Sequence, residues 1–419
     1  MRSNYRKIGD HIREVNVRNK DLTVKTLLGI NIDKYCMPSV ANIVGTDMAS
    51  YKIVKPGQFA CNRMHVGRDY RLPVALSNID KEFIVSPAYD VFEVFDENIL
   101  LPEYLMMWFS RKEFDRNAWF YTDADVRGGL PWKSFCEMEL PVPHLEKQIE
   151  MVKEYNTIVN RINLNNQLIQ KLEETAQTIY KQWFVDFEFP GENGSPYKSS
   201  GGLMEKSDLG EIPKGWEYIS IQSLIDNKIL FKNQDGNHGE IHPKSTDYVQ
   251  SGIPFIMAKD ILHGTINLDS CNFISNEQAK SLRIGFAKTD DVLFTHKGTM
   301  GRVAIVPDIK DFIVLTPQVT YYRIRNEQKI NKEYLFCLFN SDIFQNILNE
   351  QSDQSTRKFL SILNQRLIKI LLPSENIMGR FGCIIEPLLK TNRIIALELN
   401  KLIKFQDILL SKLARIDNE

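Results

Sequence analysis

Two short turns concentrate the residues best suited to chemistry. In HKGTMGR, Lys297, Thr299 and Arg302 surround two glycines; in NRMHVGRDYR, Arg63, His65, Arg68 and Arg71 surround one. Cations on such a turn can meet phosphates, and a forked guanidinium can read the acceptors of a guanine edge. The plainer reading is a tight hairpin whose glycines serve backbone geometry while the charges stay wet. Two later polar stretches add cations of the same kind: TDADVRGG carries Arg127, and QSDQSTRK carries Arg357 and Lys358. These ten residues are the candidate contacts to DNA.

Other chemistries find less support. No GxxxxGK[ST] loop is present and no GxGxxG follows a strand-like run, so neither nucleotide motif applies. The six cysteines never come closer than 25 positions, which leaves no CxxC pair for zinc or redox work. His238, Glu240 and His242 lie close together, but Gly239 and Pro243 argue against a helix presenting both imidazoles on one face. No metal site is expected. Asp308 after Pro307, followed by Glu327 and Lys329, loosely fits a PD…ExK spacing. In such a site two acids hold Mg²⁺ and the lysine positions the attacking water. Both acids fall on polar stretches, and the first half has no counterpart. A single-chain metal-dependent endonuclease is therefore the alternative reading.

The elements that position the turns occur twice. QFACNRMHVGRDY lies on VLFTHKGTMGRVA, with Gly67 against Gly301 and Arg68 against Arg302. EFIVSPAYDVFEV lies on DFIVLTPQVTYYRI, and LPEYLMMWFSRKEF on NKEYLFCLFNSDIF, with Tyr104 against Tyr334. DVRGGL lies on STRKFL, placing Arg127 on Arg357. The matches keep one order at offsets between 229 and 234, which predicts two copies of one unit. Each copy reads as short β-rich runs, a short helix, a polar loop, a Leu-Pro boundary and a long helix.

The first long helix is free of Pro and Gly from Leu145 to Phe184. Ile149, Ile162, Ile169, Leu172 and Ile179 step along one side, with Asn166 filling the gap before Ile169. The second, near the C-terminal end, carries Ile395 among its seam leucines, and Pro387 is expected to kink it or mark its start. Forty residues make a rod of roughly 60 Å. Seams this narrow predict that the two helices pair with each other.

Lys plus Arg number 52 against 53 for Asp plus Glu, a net charge of −1. That disfavours a basic coat for nucleic acid but permits one basic face. The opening MRSNYRKIGDHIREV has no apolar signal core, and no run approaches 18 apolar residues, so a cytoplasmic protein is expected.

NLNNQLIQKLEETAQTIYKQWFVDFEFP, followed by LGEIPKGWEY, resembles the central conserved region of type I restriction–modification specificity (S) subunits. GIPFIMAKDILHGTI, VLFTHKGTMGRVAIV and TPQVTYYRIR resemble one target-recognition domain of that family; VGTDMASYKIVKPGQFACNRMHVGRDYRLPVALS resembles another. The first half departs in lacking a counterpart of LGEIPKGW, since it begins at NYRKIGD. The resemblance implies an α+β fold, with two mixed β-rich recognition domains joined by long helices that pair as an antiparallel coiled coil. The expected division is 1–139 first domain, 140–187 central helix, 188–207 linker, 208–371 second domain and 372–419 second helix. It further implies a non-catalytic subunit that reads a bipartite site on double-stranded DNA. Its partners would be two methylation subunits, with S-adenosylmethionine, and restriction subunits, with ATP and Mg²⁺.

Overall fold

The computed structural model describes residues 4–39, 45–64, 66–122, 128–352 and 359–415. The chain divides into two compact units. One is built from the N-terminal residues to 162 together with those from 402 onward, the other from 163–401.

In the first unit the duplicated run begins with β1 (Tyr5–Lys7). It continues through β2 (Phe59–Cys61), β3 (Val74–Leu76), β4 (Phe83–Val85) and β5 (Asp90–Val94). Then come α1 (Pro102–Phe109), α2 (Lys112–Phe120), α3 (Trp132–Glu137), β6 (Glu139–Pro141) and the long α4 (Leu145–Phe184). β2 lies between β3 and β5, and Ile12–Val15 extends the sheet beyond β5. β1 pairs antiparallel with β6, Tyr5 opposite Pro141. Phe59 stacks on Phe92 at 4.9 Å, and Phe109 and Phe135 close the core around them.

The second unit repeats this order. β7 (Glu217–Ser220) precedes β8 (Val292–Thr295), β9 (Val303–Ile305), β10 (Ile313–Leu315) and β11 (Val319–Tyr322). They are followed by α5 (Lys332–Asn340), α6 (Asp342–Ser352), α7 (Ile362–Leu367), β12 (Lys369–Leu372) and the long α8 (Glu375–Lys412). β8 lies between β9 and β11, as β2 lies between β3 and β5. β7 pairs with β12, Tyr218 opposite Leu371. Asn4–Lys7 of the first unit thus takes the place of Glu217–Ser220. The Tyr104 hydroxyl donates to the Pro141 carbonyl at 3.1 Å, and Tyr334 donates to that of Leu371; both donors and acceptors stand 230 residues apart. What differs is the surrounding sheet. β4 pairs with Lys52–Val54, whereas β10 sits within five strands between Ile253–Ile256 and Phe286–Ala287.

The long helices pair inside each unit. In the first, Gln406 donates to the Tyr155 hydroxyl at 3.1 Å. In the second, Asn165 reaches Glu398 at 3.2 Å and Glu173 is hydrogen-bonded to Asn392. The partner number falls as the residue number rises, so the helices run antiparallel. Ile169 and Ile395 are buried, while Ile162, Leu172 and Ile179 are half-buried. Two seam positions need correction. Asn166 is exposed and Asn165 is buried in its place, because a step of three from Ile162 and four to Ile169 keeps the stripe. Ile149 is likewise exposed, and Gln148 is buried beside it, bonding the Leu101 amide and the Ile99 and Pro143 carbonyls.

Nor is the apolar face only a seam. Ala176, Tyr180, Trp183 and Phe184 enter the core of the second unit with Met378, Phe381 and Ile385 of α8. α8 does not begin at Pro387 but runs through it. Pro387 and Cys383 one turn earlier are both exposed, so the carbonyl deprived of its helical donor lies on the wet side. The Gly- and Ser-rich stretch expected as a linker is folded as well, with Phe189 stacked on Tyr197 at 4.5 Å and on Trp216 at 4.9 Å.

Candidate nucleic-acid interface

Register fixes how the two cation-bearing turns correspond. Cys61 pairs with Val74 and Asp90, and Phe294 with Val303 and Thr320. Twelve residues therefore join β2 to β3, where eight join the same points of β8 and β9. The Asn62 amide donates to the Pro73 carbonyl at 2.8 Å, and the Thr295 amide to that of Arg302 at 2.9 Å. Arg302 thus corresponds to Pro73, and the pairing of Arg68 with Arg302 read from the sequence does not hold. A four-residue difference in loop length shifted the match between two Gly-Arg pairs.

In the first unit Arg63 points inward. Its Nε lies 2.6 Å from Asp90, it donates to the Leu130 carbonyl, and its guanidinium sits 5.3 Å from the Trp132 ring. Gly67 donates to the Gly128 carbonyl at 2.7 Å, and a Cβ on either glycine would come within 2.7 Å of the other's Cα. Here glycine serves close backbone approach. Arg68 and Arg71 are exposed; they pair with Asp69 at 2.7 Å and Asp33 at 2.6 Å. Leu72, wholly buried, ends the loop by donating to Asp115, which the buried Lys34 neutralises at 2.7 Å. Sequence reading missed Lys34, Asp90 and Asp115, which position the loop from distant elements. No local spacing marks them.

In the second unit Lys297 and Thr299 are exposed at the tip of the turn, and the Lys297 backbone bridges to Phe359. Gly301 has φ +86°, and Gln345 donates to its carbonyl at 3.0 Å. Arg302 donates to the Ala258 and Ile261 carbonyls at 3.1 and 3.3 Å, so it braces the turn from within. Beneath lies His296, 2.5 Å from Thr320 and 3.8 Å from Asp235. Burial pushes its pKa down to about 4, against the pull of Asp235. His65, Arg127, Arg357 and Lys358 lie outside the described residues.

The nuclease pattern is not assembled. Lys329 pairs with Glu375 of α8 at 2.9 Å. Glu327 lines a cleft with Asp290, Asp291, Glu333 and Glu386 that does not include Asp308. His238 bonds Asp235 at 2.8 Å, and no group of three metal-ligating side chains occurs among the described residues. None of their helices is long and apolar enough to cross a membrane.

No family model matches the chain. It is 23% identical over 325 residues to the type I restriction enzyme MjaIX specificity subunit of Methanocaldococcus jannaschii, covering 75% of this chain and 68% of that one. It is 27% identical over 213 residues to the HindI specificity subunit of Haemophilus influenzae, covering 50% and 44% respectively. The matched regions thus span between under half and about two thirds of these relatives. A crystal structure of a type I restriction–modification S subunit from M. genitalium shares the fold, with a TM-score of 0.59 over 98% of this chain and 95% of that one at 15% identity. The chain is therefore similar in sequence to specificity subunits of type I restriction–modification systems and shares the fold of a solved S subunit.

Proposed function

We propose that this chain selects the DNA target of a type I restriction–modification complex, each unit reading one half of a bipartite site. The observation that carries this is the duplication itself: two units of the same strand order and register, each presenting a cation-bearing turn at the same place. Two copies of one binding unit suit two half-sites. The paired helices are the natural docking surface for two methylation subunits, which would bring S-adenosylmethionine. Restriction subunits would bring ATP hydrolysis and Mg²⁺-dependent cleavage. The work of this chain is recognition, and the reaction belongs to its partners.

Methylome sequencing of cells with and without the chain tests the reading. A split methylated motif should vanish with the gene. If every motif persists, or if the purified chain alone cuts DNA with Mg²⁺ and loses that activity in Asp308→Ala, the reading fails.

A further inference from the structure

Tyr70 has φ +57°, a left-handed conformation that is an outlier for an aromatic residue. Such strain persists only where the surroundings impose it. Here both sides are fixed. The Tyr70 amide donates to the Val66 carbonyl at 2.8 Å, and two residues on, Leu72 is buried and tied to Asp115. The effect is to hold the phenol ring outward, 62% exposed. It lies 5.3 Å from the ring of Trp119 at the end of α2, itself 44% exposed. Phe120 and Tyr121 follow at 76% and 46% exposure, edge to face with each other at 5.4 Å.

This aromatic group does not belong to the duplicated scaffold. The equivalent turn of the second unit is four residues shorter, and 230 residues beyond Trp119, Phe120 and Tyr121 the sequence reads Asn349, Glu350 and Gln351. An exposed aromatic patch of this kind signals a binding partner. The flanking charges indicate which. Arg68 and Arg71 bracket Tyr70; among the described residues their ion pairs are with Asp69 and Asp33, and exposed pairs of this kind contribute little. A phosphate can replace either carboxylate. Aromatic faces between arginines are the pattern of a nucleic-acid stacking platform.

We propose that Tyr70 and Trp119 stack on bases of the first half-site, with Arg68 and Arg71 on the flanking phosphates. This rests on the recognition function proposed above. A paired base offers its face only where the stack opens, so the platform would select a deformable step as well as base edges.

The test uses the complete complex with its methylation subunits and a duplex carrying the motif found by methylome sequencing. 2-Aminopurine is placed in turn at each first-half position. The parent complex should change the fluorescence at one step. Tyr70→Ala and Trp119→Ala should each abolish that change and weaken binding about five- to hundredfold, while Trp119→Phe keeps most of it. Tyr70→Gly removes the ring and relieves the strain, so binding should fall while the thermal midpoint holds. Alanine variants binding within twofold of the parent would overturn the proposal. So would normal DNA contact combined with lost methylation-subunit assembly, which would make the patch a protein interface. A parent complex that binds no duplex would instead refute the recognition function, and this proposal with it.

Discussion

Replacing Asp115 by Asn asks whether a buried ion pair sets the loop that carries Arg68, Tyr70 and Arg71. Lys34 and Asp115 are 2.7 Å apart with side chains only 7% and 12% exposed. The same carboxylate accepts the Leu72 amide at 3.1 Å, and Lys34 also donates to the Phe109 carbonyl. Burial holds Lys34 below the ordinary lysine value, with Asp115 opposing the shift. Asparagine keeps an acceptor for Leu72 and removes only the charge. Breaking a buried pair typically costs about 3–5 kcal/mol. Lys34 can limit that loss by shedding its proton. At about 1.36 kcal/mol per pH unit below an unfolded pKa near 10.4, this costs roughly 4.6 kcal/mol at pH 7 and 1.9 at pH 9. The expected destabilisation is therefore about 3–4.6 kcal/mol at pH 7 and no more than about 1.9 at pH 9. The sign follows from linkage. With the folded pKa depressed, the unfolded chain binds more protons, so stability rises with pH up to the unfolded value and the variant recovers in alkali. Urea titration read by proteolysis, with fragments of the first unit identified by mass, measures this at both pH values. Lys34→Met with Asp115→Asn should restore most of the loss. Equal losses at the two pH values, or no recovery in the double variant, would refute the reasoning.

Arg68→Ala should weaken DNA binding at unchanged thermal midpoint, whereas Arg302→Ala should lower the midpoint of the second unit, because its guanidinium braces two carbonyls; calorimetry beside binding isotherms separates the two. Asn165→Ala should cost about 1–3 kcal/mol as a buried polar contact is lost, and Asn166→Ala should stay within about 0.5. Equal effects in thermal unfolding would undo the corrected seam. Tyr104→Phe and Tyr334→Phe should each cost about 1–3 kcal/mol by stranding a buried carbonyl. Hydrogen exchange resolved by unit should find similar losses, one in each half.

Strand order, the short helices and the long helices were legible because packing repeats itself in residue type. Tyr104 and Tyr334, or Phe109 and Phe339, cannot change without opening a core. The turns were legible as turns but not in their correspondence. Gly67 is required by the Gly128 backbone, and Gly301 by a positive φ against Gln345. Two unrelated geometric needs produced the same Gly-Arg pair, and letter matching joined them. Direction is equally hidden in the sequence. Arg63 and Arg302 look as available as Arg68, yet their carbonyl partners come from residues 41 to 67 positions away. A run such as Trp119-Phe120-Tyr121 ending a helix before a polar loop could have drawn notice, since nothing in a core requires three consecutive rings.

The two units differ in a graded way. Near the long helices, the tyrosine bonds recur at equal spacing. Beneath the turns, backbone is kept and side-chain chemistry is exchanged. The Leu130 amide donates to Arg63 at 3.0 Å and the Leu360 amide to His296 at 2.9 Å, so both loops are tied back alike. Yet the pair below one is Arg63 with Asp90, a half-buried ion pair, and below the other His296 with Thr320. Burial pushes the His296 pKa down to about 4, so at neutral pH it adds no cation where the first unit has Arg63. At the surface even loop length differs, and the aromatic group stands on one copy alone. A duplicated unit under no pressure to differ would drift evenly over its exposed face. Divergence that reaches inward to the residues supporting the loops suits two readers on one scaffold. If they read DNA as proposed, the two half-sites should differ in sequence, and the methylated motif should be asymmetric. A palindromic motif would mean that these differences do not set what is read.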